Sequence, residues 1–195
     1  EWKAAHHDRV KSMVERDKNH PSVILWSMGN ESSDGEVYTE CYKWIKERDK
    51  TRPVQLEQGY GGAHTDIICP MYPDMKDFRR YAERENMRKP YIMCEFAHAM
   101  GNSMGGFAEY WDLTRKYAKY QGGFIWDFVD QGLRSTSKVT GKQIWQYGGD
   151  AGRYPASDHN FNCNGVIAPD RSYNPHAYEV QHYYQHIWQI GRAHV

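Results

Sequence analysis

The sequence predicts an α/β fold with a parallel sheet, on the basis of three observations. Along the 195 residues, apolar positions switch repeatedly between the two-residue period of strands and the 3.6-residue period of helices. Pro and Gly turns separate these segments. The composition, 39% hydrophobic and 26% charged, is ordinary for a chain with one folded core. Strands that alternate with helices are typical of parallel βα units.

Four segments are predicted to be helices, of which the third is polar. They cover residues 2–19, 36–49, 75–88 and 107–120. The first ends before Pro21, because the residue that precedes a proline is pushed out of the helical region. The second has an apolar face made of Val37, Cys41, Trp44 and Ile45. It stops at the turn around Pro53.

Five short apolar runs alternate with these helices and are predicted as strands. They cover residues 22–26, 54–57, 65–69, 91–95 and 123–129. Their parallel sheet can be open or closed into a barrel. A nucleotide-binding open sheet is disfavoured, because Gly59-Tyr60-Gly61-Gly62 has neither the dinucleotide-loop spacing nor the lysine of a phosphate loop.

Polar and aromatic residues suited to catalysis or binding lie at or just after the carboxyl ends of several predicted strands. They are Glu31, Glu57, Tyr72, Glu95, His98, Trp126 and Asp127. Functional residues at the carboxyl ends of many strands are typical of a TIM barrel. Two carboxylates directed at one pocket, here Glu31 and Glu95, can cleave a glycosidic bond. On residue type alone, Glu31 could instead cap the following helix, and Glu95 could form an ion pair.

The strand at residues 91–95 is expected to direct Glu95 into the mouth of the barrel. Alternation sends Tyr91, Met93 and Glu95 to one face of this strand. Ile92 and Cys94 lie on the opposite face, which we expect to pack against helices.

Charge and aromatic content narrow the class of ligand. Lys and Arg number 25, as do Asp and Glu, so no basic surface indicates nucleic acid. Aromatic residues make up 14% of the chain, which suits stacking on sugar rings, although a Tyr-rich core has the same composition. No apolar stretch reaches the roughly 20 residues of a membrane helix. We therefore expect a small neutral ligand, and neither a nucleic-acid nor a membrane partner.

The four cysteines are expected to be reduced and structural. Cys41, Cys69, Cys94 and Cys163 lie far apart and form no Cys-x-x-Cys pair. This spacing does not match the disulfide framework of a small secreted domain. The expected compartment is the cytoplasm.

The segments around the two glutamates resemble glycoside hydrolase family 2. Residues 19–31, NHPSVILWSMGNE, are similar to the acid/base signature of that family. Residues 94–103, CEFAHAMGNS, are similar to the nucleophile segment of its large β-galactosidase branch. Three further segments, at 66–72, 121–131 and 147–150, match that branch in the same order.

This resemblance implies a retaining glycosidase that hydrolyses terminal non-reducing β-D-galactose residues in β-galactosides such as lactose. Glu31 is then the general acid/base and Glu95 the nucleophile. Two alternatives stay open, namely another family 2 glycosidase, such as a β-glucuronidase or β-mannosidase, and a non-catalytic carbohydrate-binding module.

The resemblance also implies substrate-binding roles for a second set of residues, namely Asn30, Tyr72, His98, Trp126 and Asn164. Asn30 is expected to bond the sugar 2-hydroxyl, and Tyr72 to donate to the nucleophile. His98 is expected to bind galactosyl hydroxyls. Trp126 is expected to form an apolar floor under the sugar, or else to be a buried core residue. The resemblance assigns no role to Glu57.

Two cations are implied by the same resemblance. Glu31 is expected to contact Mg²⁺, whose other ligands, a glutamate and a histidine, belong to a segment before Glu1. The carbonyl of Phe161 and the side chain of Asn164 are expected to contact Na⁺. Oxygen ligands of this kind suit such hard cations.

Length places the chain within a larger protein, because a complete (β/α)₈ barrel takes about 250 residues. Residues 1–180 are expected to be the C-terminal part of the barrel, about strands 4 to 8. Residues 181–190 are expected to begin a β domain, and residues 191–195 are an unassigned tail and a candidate for foreign sequence. We expect the full-length enzyme to be a homo-oligomer and this chain alone to be inactive.

Overall fold

Helices and strands alternate over most of the chain in a computed structural model, which describes residues 2–150, 152 and 157–187. The helices are α1 Lys3–Asp17, α2 Glu36–Arg48, α3 Met75–Glu83, α4 Phe107–Lys116 and α5 Ala177–Tyr184. The strands are β1 Trp26–Ser27, β2 Val54–Gln55, β3 Tyr91–Phe96, β4 Tyr120–Ile125, β5 Leu133–Thr136 and β6 Gln143–Gln146. Contacts divide the chain into a first unit, up to Phe96 with Asp112–Phe124, and a second unit, Ala97–Trp111 with the chain from Ile125 onward.

Successive segments of the first unit lie side by side in chain order. β1 and β2 are parallel, with Trp26 opposite Val54. The N–H of Asp66 donates to the Val54 carbonyl at 2.7 Å, which joins the next segment to β2. That segment then makes a parallel bridge between Ile68 and Tyr91 of β3, and β3 neighbours β4. This order is what βα units predict.

Several strands are shorter than the sequence predicts. The run at 22–26 was expected to be a buried strand, but β1 begins only at Trp26, and the side chain of Ile24 is exposed. The run at 65–69 contributes an isolated bridge instead of a strand. The buried hydroxyl of Thr65 explains this difference, because it accepts from the N–H groups of Leu56 and Ile67 and so replaces ladder bonds.

The core of the first unit lies between α1, α2 and the first two strands. Val10 and Val14 of α1 face Cys41 and Ile45 of α2, and all four side chains are buried. Trp26 completes the cluster from β1. The predicted helices at 2–19 and 36–49 are confirmed, since apolar periodicity is a local property of the sequence.

A second apolar cluster corrects the predicted orientation of β3. The ring of Tyr91 packs against Phe78 and Tyr81 of α3, with centroids 5.4 and 4.7 Å away. The prediction that this side of β3 faces away from helices is therefore wrong for Tyr91. Tyr91, Met93 and Phe96 are all buried, so alternation shifts by one residue before Phe96. Glu95 falls within this irregular stretch.

The second unit contains a hairpin that the sequence did not predict. β5 and β6 are antiparallel, with Leu133 opposite Gln146. Helix α5 continues to Tyr184, whose ring stacks on Trp111 with centroids 4.6 Å apart. The expected domain boundary after residue 180 thus falls inside α5. The expected tail at 191–195 and residues 188–190 lie outside the described residues.

Two further predictions concern thiols and membranes. All four cysteines are free in the structure. In the described part of the chain, each helix is too short or too polar to cross a bilayer.

Asp49, at the end of α2, organises the turn that leads into β2. Its carboxylate accepts from the Trp26 indole at 2.9 Å, from Arg52 at 2.7 Å and from the Thr51 N–H at 2.9 Å. Arg52 in turn donates to the carbonyls of Lys18 at 3.0 Å and Val23 at 2.7 Å. Burial opposes ionisation of Asp49, but these hydrogen bonds outweigh it and hold its pKa well below the ordinary value.

Replacing Asp49 with Asn is expected to lower the free energy of unfolding by about 2–3 kcal/mol, because charge-assisted bonds to Arg52 and Trp26 are lost. Because the folded-state pKa is lowered, the wild-type advantage is fully present above the ordinary Asp pKa of about 4 and is lost progressively as pH falls from there through the folded-state pKa. Urea unfolding at pH 7 and pH 3 measures both effects. The control, Asp77→Asn, alters a surface pair with Arg80 and should change little. An equal difference between Asp49→Asn and wild type at both pH values would contradict the assignment.

Candidate active site

Glu31 lies in the loop that follows β1, in a backbone conformation that is unfavourable for its residue type. Its φ is 49°, and that of Ser33 is 61°. Left-handed φ values cost about 1–2 kcal/mol for a residue with a Cβ, and they cluster at sites where surrounding contacts fix the chain. Glu31 and its neighbour Asn30 are both exposed, so their side chains are available to a ligand.

Glu95 lies near the end of β3, with Tyr72 beside it. The Tyr72 hydroxyl donates to Glu95 Oε2 at 2.8 Å, and the Tyr72 N–H donates to the Glu95 carbonyl at 2.9 Å. Burial, together with the hydrogen bond to Glu95, raises the pKa of Tyr72. Tyr72 is thus a neutral donor at physiological pH, and it fixes the orientation of the Glu95 carboxylate.

Glu57 contacts the backbone of Glu31. The backbone N–H of Glu31 donates to Glu57 Oε2 at 3.1 Å. Burial raises the pKa of Glu57, and repulsion from the charges of Glu31 and Glu95 adds to this effect, while the bond from Glu31 opposes it. Glu31 and Glu57 follow the parallel strands β1 and β2, and Glu95 lies near the carboxyl end of β3, so all three lie at the carboxyl ends of strands of the first unit. The sequence signal for Glu57 was its position after a predicted strand.

Two cysteines near this cluster are not available as nucleophiles. Burial raises the pKa of both Cys69 and Cys94 to about 12. The Cys94 thiol donates to the Cys69 carbonyl at 3.1 Å. Because the thiolate is the reactive form of cysteine, carboxylate chemistry is favoured at this site.

The second unit carries the remaining predicted residues. The ring of His98 lies 5.5 Å from that of Phe161, measured between centroids. The N–H of Ala99, next to His98, donates to the Trp126 carbonyl at 2.7 Å. Trp126 is half-buried, and its indole N–H is buried without a partner among the described residues. His98 is thus near Phe161 through their rings, and the backbone next to it is joined to Trp126.

The predicted sodium ligands adjoin each other. Asn164 is fully buried, and its Nδ2 donates to the Phe161 carbonyl at 3.0 Å. Its Oδ1 has no hydrogen-bond partner in the described part of the chain. A buried, unpaired amide oxygen beside a backbone carbonyl matches the oxygen ligands that hard cations take. Asn164 and Phe161 therefore fit Na⁺.

The predicted magnesium site is not assembled by the described residues. Glu31 supplies one carboxylate, and residues 2–150, 152 and 157–187 contain no group of three or more His, Cys, Asp or Glu that could hold a metal. One carboxylate does not make the octahedral site that Mg²⁺ requires.

Curated proteins similar to this chain are β-galactosidases. One from Pectobacterium atrosepticum is 45% identical over 98% of this chain and 19% of that protein. One from Yersinia pseudotuberculosis is 47% identical over 92% of this chain and 18% of that protein. The chain thus spans about a fifth of the length of the curated relatives it matches.

Solved structures share the fold at lower identity. A β-glucuronidase from Faecalibacterium prausnitzii has a TM-score of 0.62 and 19% identity, over 93% of this chain and 34% of that one. A glycosyl hydrolase family 2 member from Bacteroides cellulosilyticus has a TM-score of 0.63 and 23% identity, over 92% of this chain and 22% of that one. Residues 1–189 match the family described as glycosyl hydrolases family 2, TIM barrel domain. The chain therefore belongs to glycosyl hydrolase family 2 and has the TIM-barrel-type α/β fold of that family.

Proposed function

We propose that this chain carries the two catalytic carboxylates of a retaining β-galactosidase, which hydrolyses terminal non-reducing β-D-galactose residues in β-galactosides such as lactose. The proposal depends chiefly on one observation, the placement of Glu31 in the loop after β1 and of Glu95 near the carboxyl end of β3, each held by a neighbouring side chain, Glu57 and Tyr72 respectively. Similarity to curated β-galactosidases over most of the chain supports galactose as the sugar.

In the first step, Glu95 attacks the anomeric carbon and forms a galactosyl ester. The protonated Glu31 carboxyl gives its proton to the glycosidic oxygen, and the aglycone leaves as an alcohol. The Tyr72 hydroxyl, 2.8 Å from Glu95 Oε2, keeps the attacking carboxylate oriented.

In the second step, water replaces Glu95 at the anomeric carbon. Glu31, now a carboxylate, takes a proton from this water as it attacks. The ester bond breaks, β-galactose is released, and both glutamates return to their starting protonation states. Two inversions give net retention of configuration.

Substrate and cation contacts complete the proposal. Asn30 bonds the sugar 2-hydroxyl, His98 bonds other galactosyl hydroxyls, and Trp126 stacks under the ring. Asn164 and the Phe161 carbonyl would hold Na⁺, which would supply a positive charge for a sugar hydroxyl oxygen. Glu31 is one proposed ligand of Mg²⁺.

The place of the chain in a larger protein is also a proposal. Residues 1–180 supply about strands 4 to 8 of the barrel, and residues 191–195 are an unassigned tail. The full-length enzyme is a homo-oligomer, and the 195-residue chain alone is inactive. Four free thiols favour the reducing cytoplasm.

Trapping of the galactosyl intermediate tests the proposed function. We expect a 2-deoxy-2-fluoro-galactoside with a dinitrophenyl leaving group to inactivate the full-length polypeptide and to label Glu95. Fluorine at C2 destabilises the positively charged transition states, while the good leaving group still lets the ester form. Peptide mass mapping locates the label. Labelling of Glu57, or of any residue other than Glu95, would overturn the assignment.

Turnover rates for a panel of nitrophenyl glycosides show which sugar the enzyme prefers. The galactoside is expected to react faster than the glucuronide and the mannoside. Faster turnover of either of those would move the enzyme to another activity in the same family. Sugar binding without turnover of any glycoside would identify a binding module.

A further inference from the structure

The loop after β1 contains two strained residues whose backbone N–H groups are both held by side chains from one distant segment. Glu31 and Ser33 have left-handed φ values of 49° and 61°. The N–H of Glu31 donates to Glu57 Oε2 at 3.1 Å. The N–H of Ser33 donates to the side-chain oxygen of Gln58, the next residue. Each left-handed residue thus has its own partner.

The segment that supplies these partners is itself well fixed. Residues Glu57–Gly59 form a 3₁₀ turn directly after β2. Leu56, which precedes the turn, is buried, and its carbonyl accepts from the Gly59 N–H at 3.0 Å. Gly59 is packed so closely that an added Cβ would lie 3.2 Å from Leu56 Cβ and 3.3 Å from Thr65 Cγ2. The turn therefore has little freedom to move away from the loop.

The far end of the loop lies close to the same segment. His64 Nε2 lies 2.9 Å from Asp34 Oδ1 without forming a hydrogen bond, and the histidine side chain is largely buried. Hydrogen bonds hold the loop at Glu31 and Ser33, through the side chains of Glu57 and Gln58. A carboxylate that transfers a proton to a glycosidic oxygen must be aimed within tenths of an ångström, so fixing its backbone affects the rate directly.

We propose that Glu57 and Gln58 are positioning residues, which hold the acid/base loop in its left-handed conformation through the N–H groups of Glu31 and Ser33. This inference rests on the proposed function, because it assigns Glu31 as the acid/base. The role of Glu57 is to accept a hydrogen bond, and a neutral acceptor of the same shape serves equally. Glu57→Gln should therefore preserve the function, whereas Glu57→Ala should not.

The dependence of kcat/KM on the leaving group distinguishes a positioning role for Glu57 from a general loss of folded protein. A poor leaving group such as methanol needs the proton from Glu31, whereas dinitrophenolate departs without it. For Glu57→Ala in the full-length polypeptide, we expect kcat/KM to fall about 10- to 100-fold with methyl galactoside and less than about threefold with dinitrophenyl galactoside. Gln58→Ala should show the same trend, and Glu57→Gln should stay close to wild type with both substrates.

The matched control is Glu47→Ala, which removes an exposed glutamate of α2. It should leave both values of kcat/KM unchanged. An equal loss with both substrates in Glu57→Ala would overturn the proposal, since it would indicate fewer folded molecules. An equal loss from Glu57→Gln and Glu57→Ala would overturn it as well, because the charge would then be what matters. If Glu57→Ala does not fold, Gln58→Ala and Glu57→Gln still decide the question.

Trapping with the fluorinated galactoside separates this proposal from the proposed function. If wild type is not labelled at Glu95, the proposed function fails. If wild type is labelled but Glu57→Ala has the leaving-group dependence of wild type, only the positioning role fails. We expect Glu57→Ala to be labelled at nearly the wild-type rate, because this step needs Glu95 but not a proton from Glu31.

Discussion

Replacing Glu95 with Gln in the full-length polypeptide is expected to lower kcat for every galactoside by about 10⁴-fold, which corresponds to about 5 kcal/mol of transition-state stabilisation. The amide is nearly the same size as the carboxylate and can still accept from Tyr72, so the site should keep its shape. It cannot form the galactosyl ester, because an uncharged amide is a poor nucleophile. The kcat should therefore fall by a similar factor for substrates with poor and with good leaving groups.

Steady-state kinetics with methyl and dinitrophenyl galactosides measure this loss, and a bound galactose analogue reports whether the site still binds sugar. Glu83→Gln, at the exposed end of α3, is the matched control and should be fully active. A Glu95→Gln protein with more than a tenth of wild-type activity would rule out Glu95 as the nucleophile.

Replacing Glu31 with Ala is expected to have a different signature. For methyl galactoside, kcat/KM should fall by about 10²- to 10⁴-fold, because the departing alkoxide receives no proton. For dinitrophenyl galactoside, kcat/KM should change little. The second step should then limit turnover, because no base activates water. Azide should restore turnover, since this anion needs no base and enters the space left by the side chain.

The configuration of the azide product tests whether Glu31 is the acid/base. With azide, Glu31→Ala should release galactosyl azide of β configuration, which NMR distinguishes from the α anomer. Glu31→Gln fills the same space and should respond less to azide. Release of the α anomer, or an unchanged dependence on the leaving group, would exclude Glu31 as the acid/base.

Local patterns in the sequence predicted the parts of the fold that local physics determines. Helices α1 and α2 agree with their predicted spans to within two residues, because each apolar face lies within one segment. Strand β3 also agrees to within one residue. The prediction of a strand at 65–69 was wrong, because the hydroxyl of Thr65 accepts hydrogen bonds from backbone N–H groups that would otherwise bond to a neighbouring strand. Its effect depends on Leu56, nine residues away.

The orientation of Tyr91 shows a second limit of local patterns. Strict alternation assigned Tyr91 to the face opposite the helices, whereas its ring packs against α3. An irregular stretch before Phe96 shifts the alternation by one residue. Such a shift is set by packing against neighbouring elements, and the spacing of apolar residues does not reveal it.

The sequence by itself determined which residues are candidates for chemistry and why. Glu31 and Glu95 lie at or after the ends of apolar segments, and their neighbouring residues resemble two motifs of one family. Both observations depend only on the order of residues along the chain. Only the tertiary structure decided how Glu31 is held. Glu31 has a left-handed φ, and its N–H donates to Glu57, a residue 26 positions away. Contacts at that separation depend on how the chain folds. The same holds for Tyr72 and Glu95, which are 23 positions apart.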